Sequence, residues 1–307
     1  MAHELRTRLL EDTHDAFPLP GHGETAERWL RLAQACRQDI AEGRLVEAHA
    51  DADAILHEIT GRRTEPGQLW GVWAAEPAHP VVTATHRSGT WYLDGTKPWC
   101  SGASICTHAL VTARDRGSSR LFAVTLCDDG VHPSEGTWTN AGMKSSDTEP
   151  VEFDRVPASP VGTPPSYLER PGFWHGAAGV AACWYGGAIG VADALKSRLR
   201  GAGPHQLAHM GAIDSALAGA RWALLGAAGE IDADREDRTK CARQRALRVR
   251  AIVEQAAAQV IDRVGRALGA APLCQDAAHA QRVADLTIYL RQSHAEADLA
   301  ALGELSA

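Results

Sequence analysis

The 307-residue chain lacks several features that mark large classes of proteins. It has seven cysteines, an odd number, and no pair shows the Cys-x-x-Cys spacing of zinc sites and redox motifs. Acidic residues outnumber basic ones by 38 to 31, and the net charge of −7 argues against a nucleic-acid-binding module. The sequence therefore predicts reduced thiols in a cytoplasmic protein, with no metal site and no nucleic-acid partner.

Signals for membranes and for serine hydrolysis are also missing. Charged or polar residues interrupt every apolar run before membrane-spanning length, so we expect no membrane partner. The first fifteen residues carry too many charges for a secretory signal, which agrees with a cytoplasmic location. No Gly-x-Ser-x-Gly elbow occurs, so Ser-His-Asp hydrolysis is not supported.

The first part of the chain has the periodicity of helices. From Glu24 onward apolar side chains recur every three to four residues, and Gly43 is the predicted end of this helix. A second helix is predicted over 45–59, closed by Gly61. Residues 1–65 are therefore expected to form a short N-terminal helical domain.

The composition changes at Pro66 toward Gly, Pro, Thr, Val and Trp. An Asp94-Gly95 pair between apolar runs is a hairpin-turn signal. Residues 66–165 are expected to form a central antiparallel β-sandwich or barrel domain and not βαβ units. Six short alternating runs are the predicted strands: 69–74, 81–86, 90–93, 108–114, 121–126 and 151–156.

After Pro171 the sequence becomes helical again. The first predicted helix is rich in Gly and Ala. Each Gly lowers helix stability relative to Ala, but such small residues let another helix or a ligand come close. The fold class is therefore α+β, with a C-terminal four-helix bundle over 170–307. The four predicted helices are at about 173–200, 205–230, 235–268 and 276–302.

One stretch, 95–103, carries the strongest chemical signal. It combines Trp99, Ser101 and several small residues directly after a predicted strand. Small residues let the main chain approach a ligand, a Trp offers a flat face, and a Ser hydroxyl donates or accepts a hydrogen bond. The stretch indicates a flat ligand lying against the backbone; the alternative is an ordinary strand with one buried Trp.

Two further patterns have alternative explanations. His205 and His209 share one helical face, but a zinc site needs a third ligand or a catalytic Glu, so no metal is predicted. The basic run from Arg235 to Arg250 either meets the phosphates of a cofactor or forms a solvated helix face paired with the acids before it.

Five local motifs stand out in this order: Ala75-Glu76-Pro77, Leu93 to Ser101, Gly142 to Pro157, Arg266 to Ala270, and Ala284-Asp285-Leu286. Together with the order of the segments, they make the chain resemble the acyl-CoA dehydrogenase superfamily of flavoproteins over residues 69–304. The resemblance implies an FAD cofactor, with FMN as the alternative, and a homodimer or homotetramer, since family members complete the flavin site across subunits.

The resemblance also implies roles for single residues. Trp99 would lie against the isoalloxazine ring, and Ser101 would hydrogen-bond near its reactive N5. Arg266 and Gly269 match a segment near the flavin of a neighbouring subunit, and Arg266 pairs either with a flavin phosphate or with an acidic neighbour. The remaining cofactor contacts would be the main chain of Val72, Ala74 and Ala75 at the pyrimidine edge of the ring.

The sequence departs from this family at the catalytic base. Dehydrogenases of the family use a carboxylate on the last helix, and its counterpart here is Ser293, followed by His294. Glu296 is the nearest carboxylate, three residues further along the predicted helix and therefore not in the same direction from its axis. The family's Arg-x-x-Phe-Gly clamp for the FAD pyrophosphate has no clear match either.

The resemblance therefore implies a flavin-dependent oxidoreductase that acts on an acyl-CoA-like small molecule, with an atypical base among His294, Ser293 and Glu296. A second alternative is the flavin-dependent monooxygenase branch, whose members use reduced flavin and oxygen and carry a His near the end of the last helix that can act as acid or base. A third is a non-catalytic relative that keeps the fold.

Overall fold

The computed structural model describes residues 2–13, 15–76, 79, 81–134 and 136–307, so Pro77 of the Glu-Pro motif lies outside the described residues. The chain divides into two compact units, and the expected division into 1–65, 66–165 and 170–307 stays a prediction. The sheet unit comprises Met1–Phe17, Leu45–Thr139 and Lys144–Phe173, and the helical unit comprises Pro18–Arg44, Asn140–Met143 and Trp174–Ala307.

The chain runs from helices through strands to helices again, as the sequence predicts, and it has one additional helix, α1, at the start. The helices are α1 Ala2–Asp12, α2 Thr25–Gln38, α3 Ile40–Thr60, α4 Ser166–Glu169, α5 Pro171–Lys196, α6 Pro204–Ala233, α7 Ala242–Leu268, α8 Ala271–Gln275, α9 Ala277–Tyr289 and α10 Glu296–Ser306. The strands are β1 Trp70–Trp73, β2 Val82–Arg87, β3 Thr90–Cys100, β4 His108–Asp115, β5 Ser118–Thr125, β6 Val131–Pro133 and β7 Glu149–Pro160.

The strands form one sheet that closes on itself. Its order is β1-β4-β2-β3-β7-β5, and pairing of β4 with β5 closes the path, while β6 adds to β7. The predicted β domain is confirmed, but not all of its pairs are antiparallel. The strand β4 enters between β1 and β2 and runs parallel to both, because it does not return beside its predecessor β3.

The interior of this sheet is apolar. Its buried cluster includes Trp73, Leu93, Val111, Phe122 and Phe153, each no more than 2% exposed. Full burial of such a side chain stabilises the fold by roughly 1.5–3 kcal/mol. This core holds β1, β3 and β7 in place, and those strands carry the residues that the sequence singled out.

The hairpin predicted at Asp94-Gly95 is wrong. The β2–β3 turn lies at Ser88 and Gly89, both with positive φ, whereas Gly95 lies inside β3 at a register shift. Gly95 has φ +116, and a Cβ there would lie 2.3 Å from the carbonyl oxygen of Val81. The glycine therefore permits a bulge and a close backbone contact.

The predicted helix end at Gly43 is also wrong. The break falls at Asp39, and α3 continues through Gly43, where a Cβ would lie 2.4 Å from Cys36 Sγ. The glycine thus lets α2 and α3 pack closely. The predicted end at Gly61 is confirmed, since Gly61 has φ +72 and donates its N–H to His57 O.

Helix α5 is the Gly/Ala-rich helix, and it packs closely within the helical unit, as its composition predicts. A Cβ on Gly186 would lie 2.0 Å from Ala33 O of α2. By length and composition α5 is apolar enough to cross a membrane, which corrects the expectation that no run is long enough. Of its most apolar window, 72% is buried inside the protein, as in the core helix of a folded domain.

The last predicted helix, 276–302, is interrupted. Helix α9 ends at Tyr289, a 3-10 turn covers Leu290–Gln292, and Ser293 is extended. Ala295 has φ +47 and ψ −115, and α10 begins at Glu296. The position predicted for Glu296, around a continuous helix from Ser293, is therefore wrong.

Candidate functional site

Trp99 is the most unusual residue of the sheet unit. It lies in a register shift of β3 between Lys97 and Cys100, with φ +61 and 62% of its surface exposed. A left-handed backbone is strained for a bulky residue, by roughly 1–3 kcal/mol. The alternative of a buried Trp in an ordinary strand is therefore wrong.

A second indole, that of Trp138, stands against Trp99. The ring centroids are 6.1 Å apart and the planes meet at 89°. Glu149, the ladder partner of Cys100, accepts hydrogen bonds from the N–H and the hydroxyl of Thr137 and so holds this segment. The two indoles form a corner that offers a face and an edge to a planar ligand.

Ser101 is anchored from both sides. Its carbonyl oxygen accepts a 3.0 Å hydrogen bond from Trp73 Nε1, and its Oγ accepts one of 2.9 Å from Thr148 Oγ1. Ser146 Oγ lies 2.8 Å from Thr148 Oγ1. Sequence reasoning assigned no role to Trp138, Ser146 or Thr148. The available signals were an isolated Trp in a polar loop and the hydroxyl residues inside the Gly142 to Pro157 motif.

The residues expected at the pyrimidine edge lie at the end of β1. Val72 and Ala74 are half-buried and Ala75 is exposed. The strand ends at Trp73, so the main chain at Ala74 and Ala75 has left the sheet ladder. The small side chains of Ala74 and Ala75, and their backbone outside the strand pairing, permit the close approach of a ligand.

Lys97 lies within the sheet and is 3% exposed. Its Nζ donates to the carbonyl oxygen and the hydroxyl of Thr112, both at 2.8 Å. Burial lowers the pKa of Lys97 to about 8, although Glu76 opposes the shift. A cavity of about 10 Å³, the size of one water molecule, adjoins Lys97, Glu76 and Arg114.

In the helical unit two of the family-like motifs meet at Asp285. This carboxylate is 5% exposed and accepts hydrogen bonds from Met143 N at 2.5 Å and from Gln281 Nε2 at 2.8 Å. A Cβ on Gly142 would lie 2.3 Å from Ala284 O. Burial raises the pKa of Asp285. Asp285 therefore ties the 140–143 segment to α9.

The three candidate catalytic residues lie around the break between α9 and α10. The His294 side chain is 79% exposed, and its Nδ1 is 3.3 Å from Asp298 Oδ1. Ser293 Oγ accepts the N–H of Ala295 at 3.1 Å, and Glu296 is exposed in the first turn of α10. The three residues thus share one irregular segment of the chain, and their catalytic roles stay proposals.

Other candidates have local partners. Arg266 pairs with Asp262 at 3.6 Å, which is the acidic neighbour that the sequence left as one alternative. Gly269 has φ +68 and ends α7. In the basic run, Arg245 pairs with Glu230 at 2.8 Å. Among the described residues no group of three or more His, Cys, Asp or Glu side chains could hold a metal.

Comparison with known proteins agrees with this fold. The family model of the acyl-CoA dehydrogenase middle domain matches residues 64–156. No curated protein matches the sequence. Solved structures share the fold across nearly the whole chain, at low sequence identity.

Four of these structures, from three proteins, are as follows. Dibenzothiophene monooxygenase (TdsC) from Paenibacillus sp. A11-2 has a TM-score of 0.76 and 18% identity, over 98% of this chain and 95% of that one. Another structure of TdsC contains FMN and indole. Methanesulfinate monooxygenase MsuC from Pseudomonas fluorescens has a TM-score of 0.75 and 17% identity, over 99% of this chain and 94% of that one. Nitrososynthase from Micromonospora carbonacea var. africana has a TM-score of 0.78 and 18% identity, over 99% and 88%. The predicted resemblance to the acyl-CoA dehydrogenase superfamily is confirmed at residues 64–156, which match that family's middle-domain model, and the similar structures share the fold over nearly the whole chain.

Proposed function

We propose that the chain is a flavin-dependent oxidoreductase whose isoalloxazine ring lies against Trp99, with N5 near Ser101. The observation that carries this proposal is Trp99 itself, which is 62% exposed at a strained positive φ. Strained residues of this kind cluster at ligand sites, where the surrounding structure over-determines them.

The described residues fit such a ring. A planar tricycle needs a broad apolar face, close backbone and a polar group near its reactive atom. Trp99 and Trp138 supply the face, Ala74 and Ala75 leave the backbone open, and Ser101 presents a hydroxyl. A bound flavin would supply the redox chemistry, while these side chains bind and orient it.

Among the possible reactions, oxygenation fits better than acyl-CoA dehydrogenation. Dehydrogenation needs a carboxylate to take a proton, but the matching position is Ser293, and Glu296 opens a separate helix. His294 Nδ1 lies 3.3 Å from Asp298 Oδ1, and an imidazole is a common general acid or base in catalysis. Two of the similar structures are monooxygenases. Acyl-CoA dehydrogenation is the second candidate, because the middle-domain model belongs to that family.

The cofactor that we favour is FMN, with FAD as the alternative. The clamp for the FAD pyrophosphate has no clear match in the sequence, and Arg266 is already paired with Asp262. TdsC, which shares the fold, has been solved with FMN. The substrate class is a small molecule, and one oxygen atom of O₂ would enter it while the other leaves as water, with two electrons from the reduced flavin.

Two assays separate the reactions. With FMN, a NADH-dependent flavin reductase and ¹⁸O₂, a panel of small aromatic and sulfur compounds should yield products that carry one ¹⁸O atom. Anaerobic addition of butyryl- or octanoyl-CoA should leave the absorbance of bound flavin unchanged. Rapid bleaching by either thioester would instead establish the dehydrogenase and reject oxygenation as the main activity.

We also propose a homodimer or homotetramer. The sequence argument for it used the Gly/Ala-rich helix α5, whereas the structural argument uses α6. Helix α6 exposes Trp222 at 70%, Leu207 at 53% and Leu225 at 45%. Exposed apolar residues grouped on one helix mark interaction surfaces. Four glycines of α6 would meet no described atom within 4 Å of an added Cβ: Gly211, Gly219, Gly226 and Gly229. A cytoplasmic location stays a prediction.

A further inference from the structure

Three hydroxyl groups beside Trp99 form a chain, here called the hydroxyl relay: Ser146, Thr148 and Ser101. Thr148 Oγ1 donates to Ser101 Oγ at 2.9 Å, and Ser146 Oγ lies 2.8 Å from Thr148 Oγ1. A hydroxyl carries only one proton. Because Thr148 directs its proton to Ser101, Ser146 must be the donor in the other contact. The relay therefore runs from Ser146 through Thr148 to Ser101.

The backbone holds the relay in this order. Gly102 N donates to Ser146 O at 2.8 Å, and Ala103 N donates to Asp147 O at 3.0 Å. The carboxylate of Asp147 accepts the N–H and the hydroxyl of Ser104, at 2.6 and 2.9 Å. Asp147 itself has φ +50, a conformation that Asp tolerates better than most residues. Residues 101–104 are thus fixed alongside 146–148.

The relay ends at a donor without an acceptor. Ser101 is 9% exposed, and its Oγ already accepts from Thr148. In the part of the chain that the structure describes, no group accepts the proton of Ser101. A buried hydroxyl with an unused proton loses a hydrogen bond that water would provide, unless a ligand accepts it.

We propose that Ser146 and Thr148 are positioning residues that make Ser101 a fixed hydrogen-bond donor toward the ligand on Trp99. This inference rests on the proposed flavin site and states which partner donates the hydrogen bond there: Ser101 donates and the flavin accepts. In oxidised flavin N5 accepts a hydrogen bond, so it matches the end of the relay. In reduced flavin N5 carries a hydrogen, so the proton of Ser101 would have to turn away from N5 before Ser101 Oγ could accept from it. Loss of the relay should therefore lower the affinity for oxidised flavin more than the affinity for reduced flavin.

The test is a double-mutant cycle on the affinity for oxidised FMN, measured by fluorescence titration of Ser101→Ala, Thr148→Val and the double variant. Each single variant should bind FMN about 3–10-fold more weakly, the loss expected for one neutral hydrogen bond. The double variant should bind within twofold of Ser101→Ala, because Thr148 acts through Ser101. Thr148→Ser keeps the hydroxyl and should stay within twofold of wild type.

A matched control is Thr125→Val, at the exposed end of β5, which should leave FMN affinity unchanged. Anaerobic titration with reduced FMN should show a smaller loss for Thr148→Val than oxidised FMN shows. Thr148→Ala replaces Thr148→Val if the valine variant does not fold.

Additive losses in the cycle, or unchanged affinity in Thr148→Val, would overturn the relay while leaving the flavin site intact. Wild-type protein that binds no flavin would instead reject the proposed function, and the relay with it.

Discussion

The exchange Trp99→Gly separates the proposed binding role of Trp99 from its effect on stability. Trp99 has φ +61, a backbone conformation that glycine adopts without steric strain. The substitution therefore removes an aromatic face and relieves the backbone at the same time. Trp99→Ala removes the same face but keeps the strain.

The expected change in stability follows from burial. A Trp side chain buries about 150–250 Å² when fully enclosed, and Trp99, at 62% exposure, buries a little over a third of its surface. At about 25 cal/mol per Å², the lost packing is roughly 2 kcal/mol. Relief of backbone strain should raise the free energy of unfolding by roughly 1–3 kcal/mol, and the greater entropy of glycine in the unfolded chain should lower it by about 0.5–1 kcal/mol. Trp99→Gly should therefore lie within about 1 kcal/mol of wild type, and Trp99→Ala should be about 2 kcal/mol less stable.

Flavin affinity should respond very differently. Stacking of a planar ring on an aromatic side chain contributes roughly 1–3 kcal/mol, so both variants should bind FMN about 5–150-fold more weakly. Urea unfolding and fluorescence titration measure the two quantities. The control Ser88→Gly relieves a positive φ in the exposed β2–β3 turn and should leave FMN affinity unchanged. Wild-type affinity in Trp99→Gly, or a loss of stability above about 3 kcal/mol, would refute the reasoning.

Three further predictions follow from other parts of the molecule. Trp222→Glu places a charge on the exposed apolar face of α6 and should shift a wild-type oligomer to monomer in mass photometry; an unchanged mass would exclude this surface. The lowered pKa of Lys97 means that the unfolded chain holds more protons between about pH 8 and 10.4, so stability should rise across this window, and Lys97→Met should remove that rise in urea unfolding. His294→Ala should lower turnover about 10²–10⁴-fold and keep FMN affinity within twofold; turnover like that of wild type would remove His294 from the catalytic residues.

Sequence patterns predicted the sheet unit well where side chains alternate. The six apolar runs became strands because their buried residues, such as Leu93 and Phe153, fill one core. The strand β6 was missed because a three-residue strand has too few positions to show alternation. The parallel pairing of β4 was missed because sequence periodicity carries no information on which strand becomes a neighbour.

Glycines were the main source of wrong boundaries. Gly43 and Gly95 both looked like ends of elements, yet each serves a close contact inside one, against Cys36 Sγ and Val81 O. A glycine that breaks an element and one that admits a neighbour look the same along the chain. Only the three-dimensional packing distinguishes them.

The candidate site was predictable where a single residue carries the signal. Trp99 and Ser101 stood out because their residue types fit a flat ligand, and the structure adds the strain at Trp99. Thr148 and Trp138 could not be derived in the same way, since they act through contacts with residues 47 and 39 positions away. The break at Ser293 was hidden because residues 276–302 contain no Pro or Gly to mark it.

The measurement that tests the central claim most directly is a titration of the purified wild-type protein with FMN and with FAD. Flavin fluorescence and absorbance report binding, and the Trp99→Ala variant serves as the comparison. The account predicts saturable binding of one flavin per chain, FMN more tightly than FAD, with a clear loss in Trp99→Ala. Absence of binding to either flavin at tens of micromolar, or equal binding by wild type and Trp99→Ala, would contradict it.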